Sequence, residues 1–443
     1  MVGSIAAPRL AGLVGEFDRR PAYLGLADEL RLLVGDGRLG TDVRLPSERD
    51  LSVALAVSRT TVTRAYAVLV EAGFAVARRG SGTYTRLPGG RRQMLDRTLT
   101  PHVEADADLV DLSCAAGAAP PGVAAAYAEA VGELPAYLGG HGYFPTGLPA
   151  LQEAIAATYD ARGLATDPAQ ILVVPGALSA LMVVAQALVT ARDRVVREVE
   201  PALAYLIPDF QNPTGNLMED AEREEYAALL RRAGTTPIVD ESHQALRLDG
   251  RPMPRPFAAY APDAVTLGSV SKSLWGGLRV GWIRCPATLT ERLVSARVSM
   301  DLGSPVFEQL VAARLLADRE THWAAHRERL RTQRDVLAAA LAERLPDWRF
   351  RLPDGGLSLW VELPAHDRAG ALDLVAEAEL RDVAISGGPA FALDGGFDSF
   401  VRIPYTRPED DLRTAVDRIA EAWEAVTTGA GAGRIRRQRV MVA

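Results

Sequence analysis

The sequence predicts an α/β protein in two unequal parts, a small helical head finished by a β hairpin and a large body built on a mostly parallel central sheet. Three observations predict it. The chain of 443 residues is longer than one hydrophobic core ordinarily serves. Its charge is divided: residues 1–92 hold 14 Arg against 9 Asp and Glu, a net of +5, and the remainder holds 35 Lys and Arg against 47 acids, a net of −12. Three short apolar runs in the body each stop at a polar cluster, as parallel strands do at a ligand-binding edge. A basic head on an acidic body implies that the head alone meets a polyanion. Hydrophobic content of 48% and charged content of 24% are those of a globular chain. No run reaches the length of a membrane span, and the opening MVGSIAAPRLAG has no signal-peptide core. Cys114 and Cys285 show no metal-ligand spacing and fit a reducing cytoplasm. His322 and His326, at i,i+4 without a third ligand nearby, read as a solvated helix face, so no metal is expected.

The head is placed at 15–86. Leu26, Ala27, Leu30, Leu33 and Val34 recur at helical spacing, and Gly35-Asp36-Gly37 ends that helix. Ser47 is a good N-cap for a second, short helix through Leu51 and Leu55, with an acid early in its first turn. That helix breaks near Ala56-Val57-Ser58, and a third runs from Ser58 through Leu69. Val62, Ala65, Tyr66 and Leu69 fall on one side of the third helix; Thr60, Thr63, Arg64 and Ala67 share the other. Such a short hydroxyl-and-arginine face fits a major groove and reaches both phosphates and base edges. Residues 74–77 and 83–85 form a hairpin whose tip, Arg78-Arg79-Gly80-Ser81-Gly82, is basic.

Residues 87–108 lack periodicity, open on a Pro-Gly-Gly turn and pass from basic to acidic, which predicts a linker. The body is placed at 109–427. Lys272 is its most telling residue, because it is the only lysine in a chain whose Lys and Arg total 49. An arginine replaces lysine in most cationic roles, but a guanidinium that stays protonated does not condense with an aldehyde. Lys272 follows the apolar run 264–267 in Gly268-Ser269-Val270-Ser271-Lys272 and is therefore a Schiff-base candidate. Two further runs end comparably: 203–207 leads to Asn212-Pro213-Thr214-Gly215, and 237–239 ends at Asp240. In an open parallel sheet Asn212, Asp240 and Lys272 would converge. Each also has an ordinary reading, as a turn, a helix cap or a loop residue. Chemistry gives each a role toward a pyridine-aldehyde cofactor. Asp240 is suited to keep a ring nitrogen protonated, and Asn212 to donate to a phenolic oxygen. Ser269 and Arg279 are suited to bind a phosphate with the backbone N–H groups at Gly176-Ala177, where a helix starts after the strand 171–174. Arg402, within Phe400-Val401-Arg402-Ile403-Pro404, is a fork for a substrate carboxylate.

At the head, the LPSER box (45–49), VSRTTV (57–62) and RRGSGT (78–83) resemble the winged helix-turn-helix of GntR-type bacterial regulators. The resemblance implies DNA contacts from Arg49, Ser58, Arg59, Thr60, Thr61 and Thr63, with Gly80 and its flanking Arg78 and Arg79 at the minor groove. Arg44 and Arg64 are added as phosphate contacts by charge and placement. In the body, Tyr143-x-Pro145-x-Gly147, the Asn-Pro-Thr-Gly motif, Asp240, Ser-x-Ser-Lys and Arg279 seven residues later resemble the fold-type I aminotransferases. The combination resembles the MocR subfamily, in which pyridoxal phosphate is a sensing cofactor. That implies a regulator of an operator in double-stranded DNA, with pyridoxal 5'-phosphate held on Lys272 and an amine or amino acid as effector. It also implies a homodimer in which Tyr143 reaches the partner's phosphate. Two other readings remain open: an active aminotransferase carrying a DNA-binding domain, and a repressor whose body only dimerises.

The chain departs from this pattern before Asn-Pro-Thr-Gly. Residues 193–196 run through 197–201 directly into the strand at 203, where the family has a strand, a ring-stacking aromatic, a helix and another strand. Several tens of residues are absent, which predicts weaker ring stacking, an exposed sheet edge and little turnover. Tyr205 is expected to point away from the site. His243 stands where relatives carry a tyrosine, and 174–179 lacks the usual polar side chain beside the phosphate-binding glycine. Residues 428–443 read as a flexible basic tail.

Overall fold

The computed structural model describes residues 4–15, 17, 19–35, 39, 43–78, 81–86, 109–120, 122–189, 201–250, 252–366, 369–392 and 396–429. The predicted linker (87–108), the segment 190–200, Arg79, Gly80 and the tail from 430 lie outside the described residues. The chain divides into two compact units, Met1–Arg97 and Thr98–Ala443.

The head contains α1 (Ala7–Val14), α2 (Ala22–Gly35), α3 (Glu48–Leu55), α4 (Arg59–Glu71), β1 (Ala75–Arg78) and β2 (Gly82–Thr85). Caps set the middle helices. The Ser47 hydroxyl accepts from Asp50 N–H at 3.2 Å and the Ser58 hydroxyl from Thr61 N–H at 3.0 Å, each satisfying an orphan donor of the first turn. Between them Ala56 closes α3 in the left-handed region at φ 52°, which turns the chain sharply into α4. Tyr66 donates to Pro46 O at 3.0 Å and ties α4 back to the approach of α3. Leu26, Leu30, Leu33, Leu51, Val62, Ala65 and Leu69 form the core, joined by Leu10 and Val14 of α1, a helix ahead of the predicted head. The hairpin pairs antiparallel from Ala75↔Thr85 to Arg78↔Gly82.

The body begins with β3 (Val110–Asp111), α5 (Val123–Glu133), α6 (Pro135–Leu138), α7 (Pro149–Asp160), β4 (Ile171–Val174), α8 (Ala177–Leu188) and β5 (Leu203–Leu206). It continues through α9 (Asp220–Ala233), β6 (Thr236–Asp240), β7 (Val265–Ser269), β8 (Gly281–Arg284), α10 (Ala287–Val298), α11 (Val306–Ala317) and α12 (Arg319–Arg344). The main sheet has the order β4-β8-β7-β6-β5. It is mixed: β8 runs antiparallel to both neighbours, while β5, β6 and β7 run parallel. The parallel run brings the carboxyl ends of β5, β6 and β7 to one edge, so Asn212, Asp240 and Ser269 follow strands that end on the same side. Among the described residues β5 is the terminal strand. Its Leu203, Ala204 and Leu206 are only half-buried, against complete burial of β4, β7 and β8, which fits the exposed edge expected from the shortened segment.

The chain closes with β9 (Arg349–Phe350), β10 (Ser358–Glu362), α13 (Ala371–Glu379), β11 (Val383–Ala384), β12 (Ser386–Gly387), β13 (Phe400–Pro404) and α14 (Glu409–Thr428). A second, antiparallel sheet β12-β13-β10-β9 packs with α12, α13 and α14, and its central strand β13 carries Arg402. The first strand of the body, β3, pairs in parallel with β11.

Candidate functional site

Lys272 lies in the turn after β7, and its amine donates to Ala115 O at 2.9 Å. Burial holds the amine below the ordinary lysine range; Cys114 and Asp240 oppose the shift, and the Arg402 and Arg279 charges reinforce it. A lowered value enlarges the uncharged fraction, the form that attacks a carbonyl. The same groups place Asp240, Arg402 and Arg279 within electrostatic reach of the one lysine.

Asp240 closes β6. Its Oδ1 accepts Ser242 N–H at 2.8 Å, and its Oδ2 accepts the Tyr205 hydroxyl at 2.6 Å. Tyr205 therefore does not point away from the site as expected. It stands 48% exposed on the edge strand, and burial and the Asp240 carboxylate both raise its hydroxyl's pKa. The cause is register: Tyr205 is opposite Ile238, which puts its ring two residues below Asp240 on the neighbouring strand. His243 donates Nδ1–H to Phe210 O at 3.2 Å, leaving Nε2 as an acceptor.

Around the expected phosphate position, Gly176 (φ +93°) caps α8 without any side-chain hydrogen bond, so the first N–H groups of the helix at Ala177 are not taken by a cap. Glycine suits that positive φ, and a Cβ would press on Arg279 Nη2 at 3.1 Å, a contact the guanidinium would have to relieve by shifting. Arg279 itself donates to Pro175 O at 3.0 Å. The Ser269 hydroxyl lies 2.9 Å from the Ser271 hydroxyl and accepts Ser271 N–H at 3.1 Å. A guanidinium, two hydroxyls and an uncapped helix start are donors of the kind an anion needs, and Asp240 and Lys272 are an acid and an amine of the kind a pyridine-aldehyde phosphate would need. The donor set fits that group.

Arg402 is fully buried. Its Nη1 donates to Asn212 Oδ1 at 3.1 Å, its Nη2 to Ser113 O, and Phe391 covers its face at 5.0 Å. Burial brings its pKa down to about 10, with Cys114 opposing. Only Nε has no partner, so a carboxylate at this fork would have to displace Asn212 or Ser113. Tyr143 lies outside this cluster, 56% exposed, with its N–H on His141 Nδ1 at 2.9 Å.

His326 also departs from expectation. It is 3% exposed, with Nε2 3.1 Å from Lys272 O, and burial followed by the Arg329 charge pushes its pKa down to about 4. The signal was present: Trp323, His326, Leu330 and Leu337 share one stripe of α12, so His326 sits on the apolar face. His243 is likewise brought down to about 4, by burial and then by Lys272. Both rings stay neutral in the fold but protonate near 6.5 when unfolded, so the unfolded chain binds more protons between pH 6.5 and about 4. Stability is therefore full above pH 6.5 and falls as pH drops through that window, by up to roughly 3 kcal/mol per ring. Melting temperatures from pH 7 to 4.5 check this; a flat profile contradicts it.

In the head, Arg49, Ser58, Arg59, Thr60, Thr63, Arg64 and Ala67 are exposed and Thr61 half-buried, while the opposite face of α4 is in the core. Arg59 is held by Glu48 at 3.3 Å, Arg64 stacks on Tyr23 at 3.7 Å, and Arg78 on Tyr84 at 4.4 Å. The exposed Arg44 pairs through its backbone with Tyr84. Ser58 has a second duty, since its hydroxyl caps α4.

A helix-turn-helix with an exposed polar face in one unit and an aminotransferase-like fold in the other define the class, a transcriptional regulator with an aminotransferase-like body. Comparison with known proteins agrees. Residues 22–85 match the bacterial regulatory proteins of the gntR family, and residues 206–419 match aminotransferase class I and II. The chain carries a GntR-family helix-turn-helix domain and an aminotransferase class I/II domain, and its relatives are helix-turn-helix regulators of the MocR type. It is 26% identical over 462 residues to the uncharacterized HTH-type transcriptional regulator YisV of Bacillus subtilis, spanning 88% of this chain and 93% of that protein. It is 26% identical over 402 residues to the probable rhizopine catabolism regulatory protein MocR of Rhizobium meliloti, spanning 74% and 78%. Among solved structures, the α-aminoadipate aminotransferase LysN of Thermus thermophilus has the body's fold, with a TM-score of 0.64, 24% identity and coverage of 73% of this chain and 94% of that one. No single helix among the described residues is long and apolar enough to cross a membrane.

Proposed function

We propose that this regulator binds an operator in double-stranded DNA through α4 and the hairpin, and holds pyridoxal 5'-phosphate on Lys272 as a sensor of the cofactor or of an amine or amino acid. The observation that carries this reading is the sole lysine, half-buried within electrostatic reach of Asp240, Arg279 and Arg402. When bound, the cofactor would supply an aldehyde that exchanges amines and a ring that withdraws electrons. Asp240 would hold the ring nitrogen's proton, Asn212 would donate to the ring oxygen, and Ser269, Arg279 and the N–H groups after Gly176 would hold the phosphate. Arg402 would take the effector's carboxylate. The relative LysN was solved with N-(5'-phosphopyridoxyl)-L-leucine, a cofactor joined to an amino acid.

A homodimer is part of the reading, with Tyr143 completing the partner's phosphate site. Leu178 and Met182 on α8 and Val298, Met300 and Leu302 at the end of α10 are all exposed, and Gln186 and Ser299 join these two elements at 2.6 Å. An apolar patch of this kind supports self-association. The sensor is favoured over a working aminotransferase because residues 193–201 run directly into the strand at 203, without the ring-stacking segment that the resembling enzymes carry there.

The test is fluorescence anisotropy of the full-length protein on a duplex selected from a random pool, with and without pyridoxal phosphate. Affinity is expected to change on adding the cofactor, and Arg59→Ala or Thr63→Ala to weaken binding about 10- to 100-fold, the loss of one good base contact. DNA binding indifferent to the cofactor would leave the body as a dimerisation module and overturn the sensing reading.

A further inference from the structure

Lys272 is held at both its side chain and its main chain. The amine donates to Ala115 O at 2.9 Å, and the Lys272 carbonyl lies 3.1 Å from Nε2 of His326. On the other side of the imidazole, Nδ1 lies 3.0 Å from Arg329 Nη2, and the same Nη2 is 3.0 Å from Ala118 O. A guanidinium only donates and a carbonyl only accepts, so the ring is neutral, accepts at Nδ1 and carries its proton on Nε2. The i,i+3 spacing on α12 sets His326 and Arg329 side by side. The bonds close a circuit through three chain segments, 115–118, 272 and 326–329. Gly117 lies against it: a Cβ there would sit 4.0 Å from His326 Cε1 and 3.7 Å from Arg329 Nη2.

We propose that His326, locked in one tautomer by Arg329, is a positioning residue for Lys272, fixing the lysine main chain so that Nζ keeps its half-buried seat at Ala115 and attacks an aldehyde from there. This rests on the reading of Lys272 as the imine-forming residue. In that step the amine nitrogen bonds the aldehyde carbon and the carbonyl oxygen leaves as water, with no oxidant or reductant. The amine must first be without its proton, and a seat shielded from water favours that form. Without the imidazole, the Lys272 carbonyl loses its donor, Arg329 keeps Ala118 O but loses its ring acceptor, and the lysine's turn is free to carry Nζ toward solvent.

The sole lysine makes the test direct. Reductive methylation with ¹³C-formaldehyde labels only Lys272 and the amino terminus, and NMR follows the labelled amine through a pH titration of the full-length, cofactor-free protein. In the wild type Lys272 is expected to titrate below the ordinary lysine range. His326→Leu is expected to raise the midpoint by about one pH unit or more, toward that of an exposed lysine. His326→Gln, which keeps an N–H at the Nε2 position, is expected to restore it. Arg329→Met, at a half-buried position, is expected to shift it in the same direction by less. An unchanged midpoint in a folded His326→Leu protein, or no recovery with glutamine, overturns the proposal; if His326→Leu does not fold, an unchanged midpoint in Arg329→Met overturns it. Because no cofactor is present, failure here is separate from failure of the wild type to take up pyridoxal phosphate, which bears on the cofactor reading alone.

Discussion

Lys272→Met is expected to abolish covalent capture of pyridoxal phosphate, read as the mass added after borohydride reduction, while leaving the fold intact or slightly more stable. Capture at the site is lost because the chain has no second lysine to substitute for the first, and any residual label maps to the amino terminus. The gain in stability follows from the seat. A half-buried amine whose hydrogen bonding among the described residues is to Ala115 O is incompletely compensated for leaving water, and methionine fills nearly the same volume without that penalty. A rise of about 1 kcal/mol is expected, visible as a melting temperature higher by ~2 °C. A clear fall in melting temperature would mean that Lys272 is kept for the fold and not for its chemistry.

The second large effect concerns the loop that carries Asn212. Arg223 and Asp209 are both fully buried and joined at 2.6 Å. Arg223 also donates to Met218 O at 2.8 Å and to Arg255 O at 3.0 Å, so α9, the start of the Asn212 loop and the segment at 255 meet on one guanidinium. Replacing Arg223 alone leaves a buried carboxylate unpaired, at a cost of about 3–5 kcal/mol to the body. Arg223→Met is therefore expected to lower the body's melting transition sharply. Arg223→Met with Asp209→Leu should recover much of the loss, because no charge is then stranded. Equal destabilisation of the single and double variants would show that the charge pair is not the source. The head, with its own core, should melt unchanged.

Much of this was legible in the chain, for identifiable reasons. Ser47 and Ser58 are local signals, since a cap acts within three residues, and both cap their helices. The apolar faces of α2 and α4 follow from periodicity alone. The site strands were legible because each apolar run ends at its polar residue, and parallel pairing gathers those ends. Partners distant in sequence were not legible. Tyr205 reaches Asp240 across 35 positions and Lys272 reaches Ala115 across 157, and neither contact has a local pattern. Arg223 looks like one more charge on a polar helix until its burial is seen. His326 lay between these cases: its stripe was readable, but the i,i+4 spacing from His322 drew attention to the wrong pairing.

The shortened segment before β5 bears on function as well as fold. Tyr205, on the terminal strand among the described residues, already occupies one oxygen of Asp240, and Ser242 N–H occupies the other. On the proposed reading, a ring nitrogen arriving at Asp240 would share a carboxylate that already accepts one bond at each oxygen.

The most direct measurement is an absorbance titration of the full-length wild-type protein with pyridoxal phosphate, run beside Lys272→Met. A new visible band that saturates at one equivalent per chain, disappears on borohydride reduction and is absent from Lys272→Met is the predicted result. A wild-type spectrum equal to the sum of protein and free cofactor at all concentrations would contradict the assignment of Lys272 as the cofactor's anchor.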